Sequence, residues 1–188
     1  MRKLVYYVGV SIDGYIAGPG HEVDFYPVSD ALMGYINGEV PEAVPTHIRA
    51  QIGLDAPNQR FDTLLMGRGT YQPALDVGIT SPYAHLRQYV VSSTIGKIDD
   101  PAVELVESDP LALVRRLKQE DGLDIWLCGG GKLAAALLPE IDELIIKSYP
   151  VVAGAGVSAF DGAFRPTTFT LTGTRPFEGG VVLMTYTR

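Results

Sequence analysis

Three short stretches hold residue types that could grip an anion. In "LLMGRGTYQ", Gly67 and Gly69 flank Arg68, and Thr70 is placed to cap a following helix. Bare backbone, a guanidinium and a helix start together suit a phosphate. In "YVVSST", Ser92, Ser93 and Thr94 follow a buried run, at the position where NAD-preferring folds carry an acid for the ribose hydroxyls. Hydroxyls near Arg68 accept a 2'-phosphate instead, so NADP is expected over NAD. The third stretch, "LCGGGKLAAALLPEIDEL", puts three glycines before a helix.

Two stock motifs fail on those glycines. Gly129, Gly131 and Ala134 have the dinucleotide spacing, but they do not follow the first strand, and no acid ends a strand about twenty residues on. A triphosphate loop needs Ser or Thr after its lysine, and Leu133 follows Lys132. What remains is physical: the amides of Gly130 and Gly131 at a helix start, helped by Lys132, aimed at an anion.

The elements that must position these residues alternate. "LVYYVGV" (4–10), "DTLLMG" (62–67), "QYVVSS" (88–93), "AVELVE" (102–107), "DIWLC" (124–128) and "ELIIKSYPVV" (143–152) read as strands. Helices are expected after Ser29, around "THIRAQI", from about Gly69, over "SDPLALVRRLKQE" and over "KLAAALL". Asp13-Gly14 signals a tight turn, and a period-two pattern around Glu178-Gly179-Gly180 signals a closing hairpin. The chain is expected to be one α/β domain over residues 1–188, built on a mixed sheet.

Composition narrows the partners. A net charge of -7 repels a nucleic acid backbone, so no nucleic acid partner is expected. No apolar run approaches the ~20 residues of a membrane span, and the first residues lack a cleavage pattern, so a cytoplasmic protein with no membrane partner is expected. The single Cys128 rules out an internal disulfide and reads as a buried thiol; no metal site is expected.

Taken in order, "VGVSIDGYIAG", "LLMGRGTYQ", "YVVSST" and "IWLCGGGKLAAALLPEIDELIIKSYPVVAGAG" resemble the dihydrofolate reductase-like superfamily, in particular the branch of the riboflavin-biosynthesis C-terminal reductase domain. The resemblance implies a three-layer fold: a central, mostly parallel sheet, helices on both faces and a C-terminal antiparallel hairpin. It implies NADPH as cofactor, a small-molecule substrate and a homodimer. By position, Gly67, Arg68 and Thr70 correspond to the phosphate turn and Ser92 and Ser93 to the adenosine side. Gly129, Gly130, Gly131, Lys132 and Leu133 correspond to the second helix start, with the Gly129-Gly130 bond cis. Ile16, Ala17 and Gly18 correspond to the loop over the nicotinamide, with Val8 beneath. Asp13 belongs to the branch's "S-[LI]-D-G" signature, but a turn aspartate needs no further reason, and the turn is the favoured reading.

The proton donor is harder to assign. Among His21, Glu22, Asp24 and Asp30, Asp24 is the candidate catalytic residue, because Phe25 and Tyr26 beside it could raise its pKa. The Pro-Trp signature before a folate-binding helix is absent, and Arg49 and Arg60 are the arginines left for a ribosyl phosphate. Three functions follow: reduction of a heterocyclic or carbonyl substrate similar to that of 5-amino-6-(5-phosphoribosylamino)uracil reductase, true dihydrofolate reduction, or a non-catalytic dimeric NADPH-binding module.

Overall fold

The computed structural model describes residues 1–188. Its first strand, β1 (Leu4–Val10), is the expected one, and its Val- and Tyr-rich run is buried on both sides. A two-residue turn then leads to a strand too short for a periodic pattern, β2 (Tyr15–Ala17). Helix α1 (Asp30–Glu39) starts where Ser29 accepts from the Leu32 amide, and α2 (Thr46–Ile52) ends on left-handed Gly53. Next come β3 (Phe61–Gly67), α3 (Arg68–Asp76), β4 (Arg87–Val91) and β5 (Val103–Val106). Helix α4 (Pro110–Lys118) is capped by Asp109 through the Ala112 amide, with Pro110 in its first turn. The remainder is β6 (Asp124–Gly129), α5 (Gly131–Leu137), β7 (Glu143–Ser148), β8 (Val157–Ser158), β9 (Thr170–Pro176) and β10 (Val182–Thr187).

Eight strands form one sheet in the order β5-β4-β3-β6-β1-β7-β10-β9. The pairs from β5 to β7 are parallel, and β10 and β9 close the sheet antiparallel as the expected hairpin. Helices α4 and α5 bury Val114, Leu117, Ala134 and Leu137 against Tyr6, Leu65 and Leu127 on one face. On the other face, Tyr71 of α3 packs with Tyr7, Phe61, Met66 and Trp126. The sheet is therefore a middle layer, as expected.

Two features depart from the sequence reading. β2 and β8 pair as a separate two-stranded sheet, and β7 ends at Ser148 rather than running on to Val152. From β1 the chain moves outward through β3, β4 and β5, returns to β6 between β3 and β1, and then crosses to β7 beyond β1. That reversal opens a crevice at the carboxyl ends of β3, β6 and β1.

Candidate active site

Two helix starts meet at this crevice from opposite faces of the sheet. A methyl group on Gly67, which precedes α3, would lie 3.3 Å from the Gly130 nitrogen, which precedes α5. Neither helix has a side-chain cap, whereas α1 and α4 do. Their first amides therefore stay available to an anion. Thr70 was expected to cap α3; the structure puts it inside the first turn instead, where its hydroxyl faces Gly129 and Gly130.

The three glycines are bare for three different reasons. Gly129 has φ 129°, a conformation side chains rarely adopt, and the Gly129-Gly130 bond is cis as the resemblance implied. Gly131 is packed: a methyl group there would run into the Ser158 carbonyl, and its own carbonyl accepts from the Asp161 amide at 3.1 Å. Gly130 alone combines room with a negative φ, -86°, Thr70 Oγ1 being no closer than 3.8 Å to such a methyl group. Only Gly130 is bare without a demand from the protein itself.

These groups line one half of a cleft of about 1600 Å³. Val8, Ile16, Ala17, Gly67, Arg68 and Thr70 all face it, as do Ser92, Ser93, Gly130, Gly131, Lys132 and Leu133. Exposed Arg68 donates through Nη1 to Thr94 Oγ1 at 2.9 Å. The buried Ser92 hydroxyl accepts from the Thr94 and Ile95 amides, which makes it a turn-former that holds Ser93 and Thr94 toward Arg68.

The cleft continues past β1 into an aromatic chamber lined by Tyr7, Gly9, Tyr26, Trp126, Cys128, Lys147 and Tyr149. Trp126 Nε1 donates to the Tyr7 carbonyl at 3.0 Å, and Tyr26 stacks on Tyr149 with centroids 4.5 Å apart. Burial pushes the Cys128 thiol up to about 12, opposed by Lys147. Cys128 thus behaves as a neutral wall group, though only half-buried because its side chain borders the cleft. No carboxylate lines this chamber; Glu107 and Asp161 face the half that holds the glycines and Arg68.

Asp24 is not brought to the chamber. It is exposed and outside the cleft lining, and the Phe25 ring beside it packs on Tyr26 at 4.3 Å rather than covering the carboxylate. Arg49 and Arg60 are also committed elsewhere. Arg49 donates to the Pro41 and Ala56 carbonyls, and Arg60 pairs with Glu143 at 2.8 Å at the opposite end of the strands. A hollow of about 590 Å³ at that end lies among Arg2, Arg60, Glu120 and Asp124, and both of its arginines are paired with carboxylates.

Sequence reasoning missed Lys147. Its signal was a charge inside the apolar strand "ELIIKS", on the same side as buried Ile145. Asp13 proves to be a clamp. Its carboxylate accepts from Ser11 Oγ and from the Ala153 and Gly154 amides, and these bonds hold its pKa down to about 2.

The sheet order, with its antiparallel closing hairpin, is that of a dihydrofolate reductase-like fold. Within it, residues 2–183 match the RibD C-terminal domain family, and the chain belongs to that family. It is 32% identical to the uncharacterized protein YwjB of Bacillus subtilis (strain 168), over 100% of this chain and 98% of the relative. It is 28% identical to YyaP of the same organism, over 98% and 94%. A protein assigned to riboflavin biosynthesis from Shewanella sp. PV-4 superposes with TM-score 0.71 at 24% identity, over 100% of this chain and 99% of that one. The diaminohydroxyphosphoribosylaminopyrimidine deaminase/5-amino-6-(5-phosphoribosylamino)uracil reductase of Thermotoga maritima gives 0.67 at 16% identity, over 99% of this chain and 56% of that one. Dihydrofolate reductase from Enterococcus faecalis, complexed with NADP(H), gives 0.65 at 13% identity, over 99% and 96%. No helix is long and apolar enough to cross a membrane.

Proposed function

We propose that this chain is an NADPH-dependent reductase of a small heterocyclic or carbonyl substrate, with chemistry similar to that of 5-amino-6-(5-phosphoribosylamino)uracil reductase. The observation that carries the reading is the continuity of the cleft. Two uncapped helix starts and Arg68 open directly into a chamber walled by Tyr7, Trp126 and Tyr149. A module that only bound the cofactor has no use for that second chamber.

In this reading Arg68, Ser93 and Thr94 receive the 2'-phosphate, and the first amides of α3 with Gly130 approach the pyrophosphate. Ile16 and Ala17 cover the nicotinamide and Val8 lies beneath it. Bound NADPH supplies the hydride. The chain's own contribution is to orient acceptor and cofactor across β1 and to exclude water from their contact. A chamber without a carboxylate disfavours folate reduction. With Arg49 and Arg60 committed elsewhere, it also disfavours a substrate gripped through a phosphate by either arginine. Self-association belongs to the same reading: β9 is an exposed edge strand whose Leu171 is uncovered, and light scattering tests for the dimer.

The deciding experiment titrates the protein with NADPH and NADH, following quenching of Trp126, the chain's one tryptophan. Tight NADPH and weak NADH binding are expected. Absence of binding by either overturns the reading.

A further inference from the structure

Hydride delivery to a C=N or C=O bond leaves charge on nitrogen or oxygen, and a positioned acid is needed to discharge it. The chamber has no carboxylate, so the donor must be another group. Lys147 lies on β7 in register with Gly9 of β1 and Leu183 of β10. Gly9 has no side chain, and that space is taken by Tyr149, whose Cε2 would lie 2.8 Å from a methyl group there. Beside it, the Lys147 side chain reaches the Tyr7 ring, with Nζ 4.0 Å from the ring centroid, in the chamber wall.

What sets Lys147 apart is the absence of a counter-ion. Other enclosed cations have one: Arg2 pairs with Asp62, Lys118 with Asp142 at 2.7 Å, and Arg60 with Glu143 at 2.8 Å. Lys147 has no carboxylate within ion-pair distance and no hydrogen bond to the protein. The groups around it are Tyr7 from β1, Cys128 and Trp126 from β6, Tyr149 beyond the end of β7 and apolar Leu183 from β10. Burial raises both Tyr7 and Cys128, so neither is an anion at neutral pH. Lys147 is half-buried at the cleft wall, where the ring face replaces only part of its hydration.

We propose that Lys147 is the catalytic proton donor, its ammonium protonating the acceptor's nitrogen or oxygen as hydride reaches the adjoining carbon; the assignment rests on the reductase reading above. The acceptor carbon gains the hydride, its π pair moves onto the heteroatom, and that atom forms a bond to the proton released from Nζ. The products are the reduced acceptor, the oxidised cofactor and a neutral amine, which water entering the open cleft reprotonates. Burial, opposed by Cys128, lowers the Lys147 pKa to about 8, so the amine is charged at neutral pH yet sheds its proton readily.

The test joins three measurements on the full chain. First, nitrogen-detected NMR of the lysine Nζ should show Lys147 titrating at about 8 rather than at the ordinary value of about 10.4. An ordinary value overturns the assignment even if no acceptor is found. Second, Lys147→Met should bind NADPH as tightly as the parent by Trp126 quenching. Its kcat for NADPH oxidation, with 5-amino-6-(5-phosphoribosylamino)uracil as first acceptor, should fall about a hundredfold. Third, Lys147→Arg, which keeps the charge but cannot release a proton near neutral pH, should not restore kcat. In the parent, kcat should fall as pH rises above about 8. Undiminished turnover in Lys147→Met, or rescue by arginine, overturns the proposal while leaving the reductase reading intact. Failure of the parent to bind NADPH overturns that reading, and this assignment with it.

Discussion

The two halves of the cleft are built by opposite means. The half proposed for the cofactor is made largely of backbone: two helix starts, a cis peptide and a serine turn, each contained in a few consecutive residues. The chamber half is made of side chains from β1, β6, β7 and the segment before α1, brought together only by the sheet order. A charged cofactor common to many reactions can be held by main-chain groups that tolerate substitution. The acceptor has to be recognised by side chains that can change without disturbing that grip.

Substitutions in the two halves should separate these effects. The largest is expected at Glu42, whose buried carboxylate accepts from the Gln59, Arg60 and Phe61 amides and fixes the turn leading to Ala43 and Pro45 at the chamber rim. Glu42→Ala removes the acceptor of three amides, the buried Phe61 amide among them, and should cost about 3 kcal/mol in urea unfolding. Next, Gly130→Ala should weaken NADPH about thirtyfold, or about 2 kcal/mol, with an unchanged Tm. Gly131→Ala should instead lower Tm, because its methyl group meets the Ser158 carbonyl. If both variants behave alike, the assignment of separate roles to the glycines fails.

Arg68→Ala should cost about tenfold in NADPH affinity, about 1.4 kcal/mol, and leave NADH binding alone. Equal losses for both cofactors would move Arg68 away from the 2'-phosphate. The Asp13 clamp should show itself only in acid. Its folded pKa is depressed, so its contribution is complete above the unfolded value near 3.9 and is lost as pH falls through about 2. The Gly154 amide resonance should follow with that midpoint. The smallest effect is expected at exposed Asp24, where Asp24→Asn should leave kcat unchanged.

Legibility in the sequence follows the same division. The six longer parallel-sheet strands and α4 were readable because buried runs, Pro110 and the Asp109 cap announce themselves locally. The glycine and hydroxyl stretches were readable because backbone approach demands those residue types. β2 and β8 were not, since strands of three and two residues show no alternation. Asp24 was chosen for its neighbours in sequence, but the fold turns Phe25 onto Tyr26 and leaves the carboxylate in water. Lys147 became recognisable only once β7 lay beside β1, which brings its ammonium over the Tyr7 ring at the cleft.

The small β2–β8 sheet has a mechanical consequence. It ties Tyr15–Ala17 to Val157–Ser158, Gly156 lies against the Ala17 carbonyl, Asp13 holds residues 153 and 154, and Tyr26 donates to the Tyr15 carbonyl. Residues 13–17 and the loop pressing on Gly131 are therefore fastened to each other by a handful of hydrogen bonds. In the proposed reading, loosening that fastening would uncover the nicotinamide and pyrophosphate positions together.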